Sequence, residues 1–468
     1  MLVPLEFPPG LNRMGTEYQN KGVFYDANLW RWAKGKSGPV GGWSELGSQV
    51  AATVRGIHSW LDISAVGRVA LASRNTIRVV GTTGTPTTIT PAGMATQADE
   101  SQWSIDNAGQ RLFLINDDEG IVRTWLPGDV TATSLTNAPT ATALVVTQES
   151  ILMVFGSGGD PRLVRWSDLD AYTVWTPDTI NYTRDFPLQS AGEIMCGRKI
   201  RGGVLILTTE DAHLARFLDF PLVYGFTEIG GSCGIISRNA VCVIDDQAYW
   251  MGKDKFFTSS GGGVQELPCM IHDDVFGSAE EPTRGLNRAQ AAKVYALHVS
   301  QHNEIWWLYA KGSATENSHA VVYNYAERTW TYHAIVRLCG IESGNGFQYP
   351  MMVGSDGKLW RHEIGETRTG AGTIFARSGP MEIGEGDQFM YVDKLLPDEG
   401  TQGDVQTYMH TRFYPNGSEA TFGPFTSANP TGCRASGRQI SIEHRLVNAN
   451  DGGRVGTFRV KVRPGGER

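Results

Sequence analysis

Gly230–Gly234 reads GGSCG and satisfies the nucleophile motif G-x-S-x-G. That motif supplies a reactive serine when it forms a sharp turn between a strand and a helix. The residues that follow, IISRNAVCVI, are β-branched and favour an extended chain, so the context for a catalytic Ser232 is missing. We interpret the segment as a glycine-rich turn between strands.

The other candidate ligands and acid–base groups also lack the spacing that their chemistry needs. Asn116–Gly120, NDDEG, gathers three acids without the alternating ligand positions of a calcium loop. Among the ten histidines, only His298 and His302 have the H-x-x-x-H spacing, in a stretch that reads as a strand and a turn rather than the helix a zinc pair needs. The six cysteines are widely spaced without a C-x-x-C pair. We interpret the cysteines as buried free thiols, and we predict no catalytic residue, no metal site and no cofactor.

Val321–His333, VVYNYAERTWTYH, indicates the fold class. Large side chains occupy every second position on both sides of the polar break Ala326–Arg328. A period of two is typical of strands, because apolar positions on a helix recur at about 3.6 residues. We therefore predict two antiparallel strands joined by a tight turn, with Tyr323, Tyr325, Trp330 and Tyr332 as cross-strand partners.

The residues before this hairpin complete a four-stranded unit, since KVYALHV (Lys293–Val299) and EIWWLYA (Glu304–Ala310) also read as strands. Units spaced by roughly 40–50 residues are typical of the blades of a β-propeller. One short helix is predicted in the first half of Arg284–Leu297. The seven units are Arg55–Gly81, Gln102–Gly128, Leu144–Pro177, Ile194–Phe220, Ala240–Pro268, Lys293–His333 and Phe347–Gly365.

The two ends of the chain differ from these repeats. Residues 366–468 contain four or five further strands and a hairpin signal at Asn416-Gly417, which predicts a small β-sandwich. Residues 1–42 are rich in Gly, Pro and aromatic residues, and they read either as a docking arm or as an ordinary first-blade strand with its loop. The predicted organisation is all-β: an N-terminal arm (1–42), a β-propeller of about seven blades (43–365) and a C-terminal β-sandwich (366–468).

Composition narrows the class further. Glycine contributes 56 of 468 residues, which agrees with many turns. No stretch approaches the roughly 18 consecutive apolar residues of a membrane span, and the first residues lack the pattern of a signal peptide. The formal net charge of −8 disfavours a simple duplex-gripping protein. We expect synthesis in the cytoplasm without export by the signal-peptide route.

Several stretches together are similar to one known family. They are PPGLNRMGTEYQNKGVFYDANLWRWAKGKSGPVGGW, WSDLDAYTVWTP, AYWMGKDKFFTSSGGGVQELPC, NEIWWLYA and RVGTFRVKVRPGGER. The chain resembles, over nearly its whole length, the tail nozzle or tail hub proteins of short-tailed bacteriophages, also called packaged-DNA stabilisation or tubular tail proteins. The resembling motifs are structural rather than catalytic.

The resemblance implies a propeller protomer in a ring, usually of six copies, below a portal and adaptor ring. It implies a channel that retains packaged DNA and conducts it during ejection, contacts with other tail proteins, and only transient, non-specific contact with genomic DNA. It implies neither catalysis nor a cofactor, and a location in the virion tail after assembly in the host cytoplasm. Aromatic anchors favour subunit contacts, so Trp30, Trp32 and Trp43 are candidate interface residues.

An acidic lumen would repel DNA and let it slide, whereas a basic lumen would hold it. We therefore hypothesise that Asp117, Asp118 and Glu119 line the channel, with a solvated outer loop as the alternative for the same cluster. A second function also stays open: a carbohydrate-binding or glycan-processing propeller that recognises a receptor. An intracellular propeller scaffold that binds peptides is a third.

Overall fold

The computed structural model describes residues 2–47, 53–278, 280–281, 283–382, 388–426 and 431–466, and this part of the chain is almost entirely β-structure. The helical segments are α1 (His272–Phe276) and 3₁₀ turns at Tyr18–Asn20, Ser157–Gly159, Arg288–Lys293 and Ser300–His302. The helix predicted in the first half of 284–297 is thus a 3₁₀ segment. No helix in the described ranges is long and apolar enough to cross a lipid bilayer.

Five short strands come first in the chain. They are β1 (Leu2–Leu5), β2 (Phe24–Asn28), β3 (Trp30–Ala33), β4 (Lys36–Pro39) and β5 (Trp43–Glu45). Strands β3 and β4 form a hairpin, with Trp30 opposite Pro39 and Trp32 opposite Ser37. The other three pair with strands that lie hundreds of residues away.

Six four-stranded antiparallel sheets follow, each built from four consecutive strands. Sheet 1 comprises β6 (Val54–Leu61), β7 (Gly67–Ser73), β8 (Ile77–Gly81) and β9 (Pro86–Thr88). Sheet 2 comprises β10 (Trp103–Ala108), β11 (Arg111–Asn116), β12 (Arg123–Trp125) and β13 (Thr133–Ser134). Sheet 3 comprises β14 (Ala143–Val146), β15 (Leu152–Phe155), β16 (Leu163–Trp166) and β17 (Arg184–Pro187). Sheet 4 comprises β18 (Ile194–Ile200), β19 (Gly203–Thr208), β20 (Ala212–Asp219) and β21 (Val223–Gly230).

The next two sheets continue the pattern. Sheet 5 comprises β22 (Val241–Ile244), β23 (Gln247–Met251), β24 (Phe256–Ser259) and β25 (Val264–Leu267). Sheet 6 comprises β26 (Tyr295–Val299), β27 (Glu304–Tyr309), β28 (His319–Asn324) and β29 (Thr329–Ala334). The predicted hairpin is β28–β29: Tyr323 lies opposite Trp330, with ring centroids 4.7 Å apart, and Val321 lies opposite Tyr332.

Sheet 7 is completed by the N-terminal part of the chain. Its first three strands are β30 (Cys339–Ile341), β31 (Met351–Val353) and β32 (Leu359–His362). The fourth, outermost strand is β5, in which Trp43 pairs with His362 and Glu45 with Trp360. The first strands of sheets 1 to 7 contact one another in chain order, and β30 contacts β6. This closed radial arrangement of four-stranded sheets is a β-propeller.

The last strands form two further sheets with help from the N-terminus. They are β33 (Phe375–Ser378), β34 (Met381–Glu382), β35 (Met390–Leu396), β36 (Val405–Arg412), β37 (Ala420–Phe425), β38 (Thr431–Gly437), β39 (Gln439–Leu446) and β40 (Phe458–Pro464). Sheet A has the order β1-β40-β35-β38, and sheet B the order β2-β33-β39-β36-β37 with β34 beside β39. The two sheets share one apolar core that includes Val392, Met409, Ile442 and Val460.

The predicted arm (1–42) and the strand that follows it contribute to the propeller and to both of the last sheets. Strand β1 is an edge of sheet A, β2 is an edge of sheet B, and β5 closes sheet 7. The aromatic residues Phe24, Trp30, Trp32 and Trp43 belong to the same buried cluster as Trp307 of sheet 6. The N-terminal segment therefore ties the propeller to the last two sheets.

Candidate functional site: the central channel

The inner strands of the propeller surround a central cavity of about 390 Å³. Residues from β6, β10, β14, β18, β22 and β26 line it, together with Asn345 from the loop between β30 and β31. Close packing of the inner strands depends on small residues: a Cβ atom on Gly56 would lie 2.5 Å from the Cβ of Trp103 in the next sheet. The polar lining residues include His58, Asp106, Asn107, Arg198, Lys199 and Asn239.

A set of ion pairs crosses one end of the propeller, where the inner strands begin. Arg55 is the second residue of β6, and its guanidinium lies 2.7 Å from Glu316 and 3.1 Å from Asp99. Lys293, just before β26, pairs with both acids and also donates to the Thr315 carbonyl at 2.8 Å. We call these four charged residues the cross-channel network. It joins sheets 1, 2 and 6, which are not all neighbours.

Burial and charge act in opposite directions on this network. The side chains of Lys293 and Arg55 are only 1% and 3% exposed. Burial raises the pKa of Asp99, but the hydrogen bond from Lys293 and the charge of Arg55 outweigh it, so the pKa lies below its ordinary value. The carboxylate is therefore ionised at neutral pH and holds the sheets together as an anion.

Replacing Lys293 by methionine should lower the free energy of unfolding by about 1–3 kcal/mol, because it leaves two acids facing Arg55 alone. The low pKa of Asp99 means that its stabilisation is present above about pH 4 and is lost as the pH falls. The variant should therefore lose more stability at pH 7 than at about pH 2.5, which is well below the ordinary pKa of an aspartate. Thermal unfolding followed by tryptophan fluorescence at both pH values measures this.

The matched control is Lys253→Met, which removes a lysine that pairs with Glu210 at 2.7 Å on the surface. Both side chains are more than half exposed, so the pair contributes little. Equal losses in the two variants would contradict a structural role for the cross-channel network.

Polar contacts also link sheets at the other end of the inner strands. Lys199 in β18 lies 3.0 Å from the Asp106 carboxylate in β10, although sheet 3 stands between their sheets. Asp106 also accepts a hydrogen bond from the Val146 amide at 2.9 Å. His58 contacts the Asn107 side chain at 2.8 Å, and burial lowers the pKa of His58, so its imidazole is neutral at pH 7. Lys199 and Asp106 thus form an ion pair in the cavity, whereas Arg198 donates to the Arg238 carbonyl at 3.0 Å and to the Asn239 side chain at 3.3 Å.

The three predicted channel acids have different surroundings. Asp117 lies 2.8 Å from Arg238, which precedes β22, so this pair joins sheet 2 to the start of sheet 5. Asp118 is exposed and accepts from the Ala98 amide at 2.9 Å. Glu119 pairs with Arg123 within its own sheet. The structure brings only Asp117 to a contact between distant sheets, and a role of the cluster toward DNA stays a prediction.

The three predicted interface tryptophans are buried within the chain itself. Trp30 donates to the Ser37 hydroxyl at 2.9 Å, and Trp43 donates to the Thr369 carbonyl at 3.0 Å. The Trp32 ring lies 4.8 Å from that of Phe24. These indoles need no second subunit to be covered, and their role between subunits stays a prediction.

Sequence reasoning missed a buried ion cluster between the β3–β4 hairpin and the propeller. Arg31 binds Glu304 at 2.6 and 2.8 Å and Glu363 at 2.8 Å, and all three side chains are less than 10% exposed. Burial lowers the pKa of Arg31, but the two carboxylates raise it above its ordinary value. Burial likewise raises the pKa of Glu363, yet Arg31 holds it well below its ordinary value. We call these residues the Arg31 clamp.

A signal for the clamp was present in the sequence. Glu304 is the one charge in EIWWLY, a strand whose six residues are all buried. A charge in such a strand requires a buried partner of opposite sign. Arg31 stands between two buried tryptophans, which marks it as the candidate partner. No local pattern connects residues 273 positions apart, however.

Among the residues that the structure describes, no group of three or more His, Cys, Asp or Glu side chains is placed to hold a metal ion. Ser232 of the G-x-S-x-G match is exposed and follows β21 in a turn. The next element along the chain is strand β22, which agrees with a turn between sheets.

Comparisons with known proteins return only distant structural likenesses. No protein-family model and no curated protein matches the chain. Similar solved structures include virginiamycin B lyase from Staphylococcus aureus, with a TM-score of 0.46 and 10% identity over 68% of this chain and 98% of that one. The Cps50 (Swd1) β-propeller domain from Myceliophteria thermophila has a TM-score of 0.41 and 9% identity over 69% and 98%. Likenesses this weak do not bear on function.

Proposed function

We propose that the chain is a structural subunit of a short-tailed phage tail: a nozzle or hub ring below the portal and adaptor that retains packaged DNA and conducts it during ejection. The resemblance of its sequence to that family is one basis. The observation that supports it best is the pairing of charges across the channel, which joins non-adjacent sheets into a stiff and chemically quiet block. We propose that the protein is not an enzyme and resides in the virion tail after assembly in the host cytoplasm.

The finer architecture belongs to the same proposal. We infer seven blades, with β5 closing the last, and a C-terminal β-sandwich made of sheets A and B. A blade closed by a strand from the other end of the chain resists opening, since the ring parts only if β5 leaves β32. Such a subunit suits a tube that must withstand the pressure of packaged DNA.

Two exposed apolar groups support assembly into a ring. Leu218, Phe220 and Leu222 at the tip of the β20–β21 hairpin are 53%, 44% and 68% exposed. Phe413 and Tyr414, in the turn after β36, are 50% and 64% exposed. Exposed apolar groups of this kind mark interaction surfaces. A contact between two different surfaces of identical subunits closes into a ring when the rotation allows.

The purified protein at micromolar concentration should form rings in negative-stain micrographs, six-membered by analogy with the resembling family. Replacing Phe220 and Leu222 by aspartate should convert rings to monomers, because each charge would be desolvated in the contact. The control is Val130→Asp, at a position that is 86% exposed in another turn. Monomers of the unaltered protein under all conditions would contradict the ring.

The alternative, a glycan-processing propeller, would need two carboxylates with different protonation states beside a sugar site. Glu304 and Glu363 are buried together, but Arg31 binds both, and its charge holds the pKa of Glu363 well below its ordinary value. That arrangement does not suit an acid–base pair. No feature of the channel favours glycan binding over the structural role.

A further inference from the structure

The outer face of sheet A concentrates positive charge. Alternate side chains of β40 point to opposite sides: Phe458, Val460 and Val462 are buried, while the three basic residues between and after them are exposed. Two more exposed cations come from β35 and β38 in the same sheet. We call this set the basic face. It comprises Lys394, Arg434, Arg459, Lys461 and Arg463.

Within the described strands β35, β38 and β40, one carboxylate accompanies the cations of the basic face. Asp393 contacts Arg463 at 2.7 Å, and that hydrogen bond lowers the pKa of Asp393. Five cations and one carboxylate leave a local charge of +4, in a chain whose formal net charge is −8. Glu6 and Asp398 follow the ends of β1 and β35, beyond the paired residues. The basic face is therefore positively charged, whereas the rest of the chain has an excess of acidic residues.

The arrangement of the cations costs stability unless an anion is present. Lys461 lies directly opposite Lys394 in the antiparallel pair of β40 and β35. Like charges in opposite positions destabilise a sheet. In contrast, Arg463 lies opposite Tyr391 and has Asp393 beside it. An anionic partner would relieve the repulsion between the two lysines.

The cations of β40 form a row that suits a densely charged polyanion. Arg459, Lys461 and Arg463 are two residues apart on one strand, so their side chains repeat at about 6.8 Å. Duplex DNA carries about one charge per 1.7 Å of its axis, so several phosphates lie within the length of this row. Lys394 stands one strand away, about 4.8 Å to the side.

We propose that the basic face binds the phosphate backbone of duplex DNA without reading its sequence. The choice of DNA over another polyanion rests on the proposed function, in which the protein meets the packaged genome. Five phosphate contacts give a log–log salt slope of about −4.5, so affinity falls several hundred-fold between about 50 and 200 mM salt. Such a salt-sensitive contact would retain DNA and still allow it to move along the basic face.

The test measures binding of the full chain to a fluorescent duplex of about 30 base pairs by fluorescence anisotropy, at salt concentrations between about 50 and 200 mM. The variant Arg434→Gln/Arg459→Gln/Lys461→Gln should weaken binding at least about 30-fold and reduce the salt slope by nearly three. The control Arg162→Gln/Arg201→Gln/Arg216→Gln removes three exposed arginines from the propeller. It should change affinity by less than about threefold, and neither variant should lower the melting temperature.

Three outcomes would overturn the proposal: no binding of the unaltered chain at about 50 mM salt, equal losses in both variants, or binding of phosphatidylserine vesicles without binding of DNA. Ring formation, recorded on the same samples, separates the two proposals. If the protein forms rings that do not bind DNA, the proposal for the basic face is refuted and the proposed ring is not. DNA binding that depends on the basic face, in a chain that never forms rings, would refute the nozzle and leave the basic face standing.

Discussion

Replacing Arg31 by methionine should lower the free energy of unfolding by about 3–5 kcal/mol, because it leaves Glu304 and Glu363 buried without their shared cation. The midpoint of thermal unfolding should fall by about 3–8 °C, because a chain of this length has a large entropy of unfolding. Glu363 keeps hydrogen bonds from the Gly41 amide at 3.1 Å and from His302 at 3.1 Å, which are too few to balance the lost guanidinium. Circular dichroism and tryptophan fluorescence at neutral pH measure the change.

The same variant should reverse the pH dependence of this site. With Arg31 in place, the pKa of Glu363 is depressed, so its stabilisation is present above about pH 4.3 and is lost as the pH falls. Without Arg31, the effect of burial on Glu363 is no longer offset, and the pKa of this carboxyl rises. The stability deficit of Arg31→Met should therefore be larger at pH 7.5 than at pH 5.

Lys255→Met is the matched control, since Lys255 and Glu266 form an ion pair at 2.9 Å with both side chains about half exposed. Its unfolding midpoint should stay within about 1 °C of the unaltered protein. A deficit for Arg31→Met that is independent of pH would show that packing, rather than charge, dominates at this position.

Deleting residues 1–46 should abolish cooperative folding. The deletion removes β5 from sheet 7 and takes Trp30, Trp32 and Trp43 out of the core, where they are at most 5% exposed. Burial of each indole stabilises the fold by roughly 4–6 kcal/mol. The sum for the three is comparable with the whole free energy of unfolding of a typical domain, about 5–15 kcal/mol. We expect insoluble or protease-sensitive protein without a sharp thermal transition.

Deleting residues 1–5 provides the comparison, because it removes only β1 from an edge of sheet A. That shorter deletion should leave the fluorescence transition of the propeller tryptophans within a few degrees of the full chain. If the protein lacking residues 1–46 melted as sharply and as high as the full chain, the N-terminal segment would be an appendage rather than part of the core.

Local patterns sufficed for much of the fold. Alternating large side chains at Val321–His333 predicted the β28–β29 hairpin, and Tyr323 does face Trp330 across it. Asp356-Gly357 marks the turn between β31 and β32, where Gly357 has a φ of 74° that suits glycine. Such signals work because a hairpin is specified by neighbouring residues. The same logic predicted the β-propeller.

Long-range pairings escaped prediction for a physical reason. An edge strand such as β1 carries no local signal that names β40 as its partner, since backbone hydrogen bonds are the same for every strand. The Arg31 clamp could not be predicted either. The charge of Glu304 in a buried strand implies an oppositely charged partner, but it does not identify the position of that partner in the chain. Trp30 and Trp32 indicated that the N-terminal segment has apolar side chains to bury, and in the structure these side chains pack against the propeller.

The adjacency of the first and last strands has a consequence during synthesis. Leu2 pairs with Lys461, and at about 5–20 residues per second the ribosome releases that partner roughly 20–90 s later. Throughout this interval the tryptophan-rich beginning of the nascent polypeptide waits without its final neighbours, which makes it a natural client for chaperones. A prematurely terminated product that lacks β40 cannot complete sheet A, in which β40 pairs with both β1 and β35.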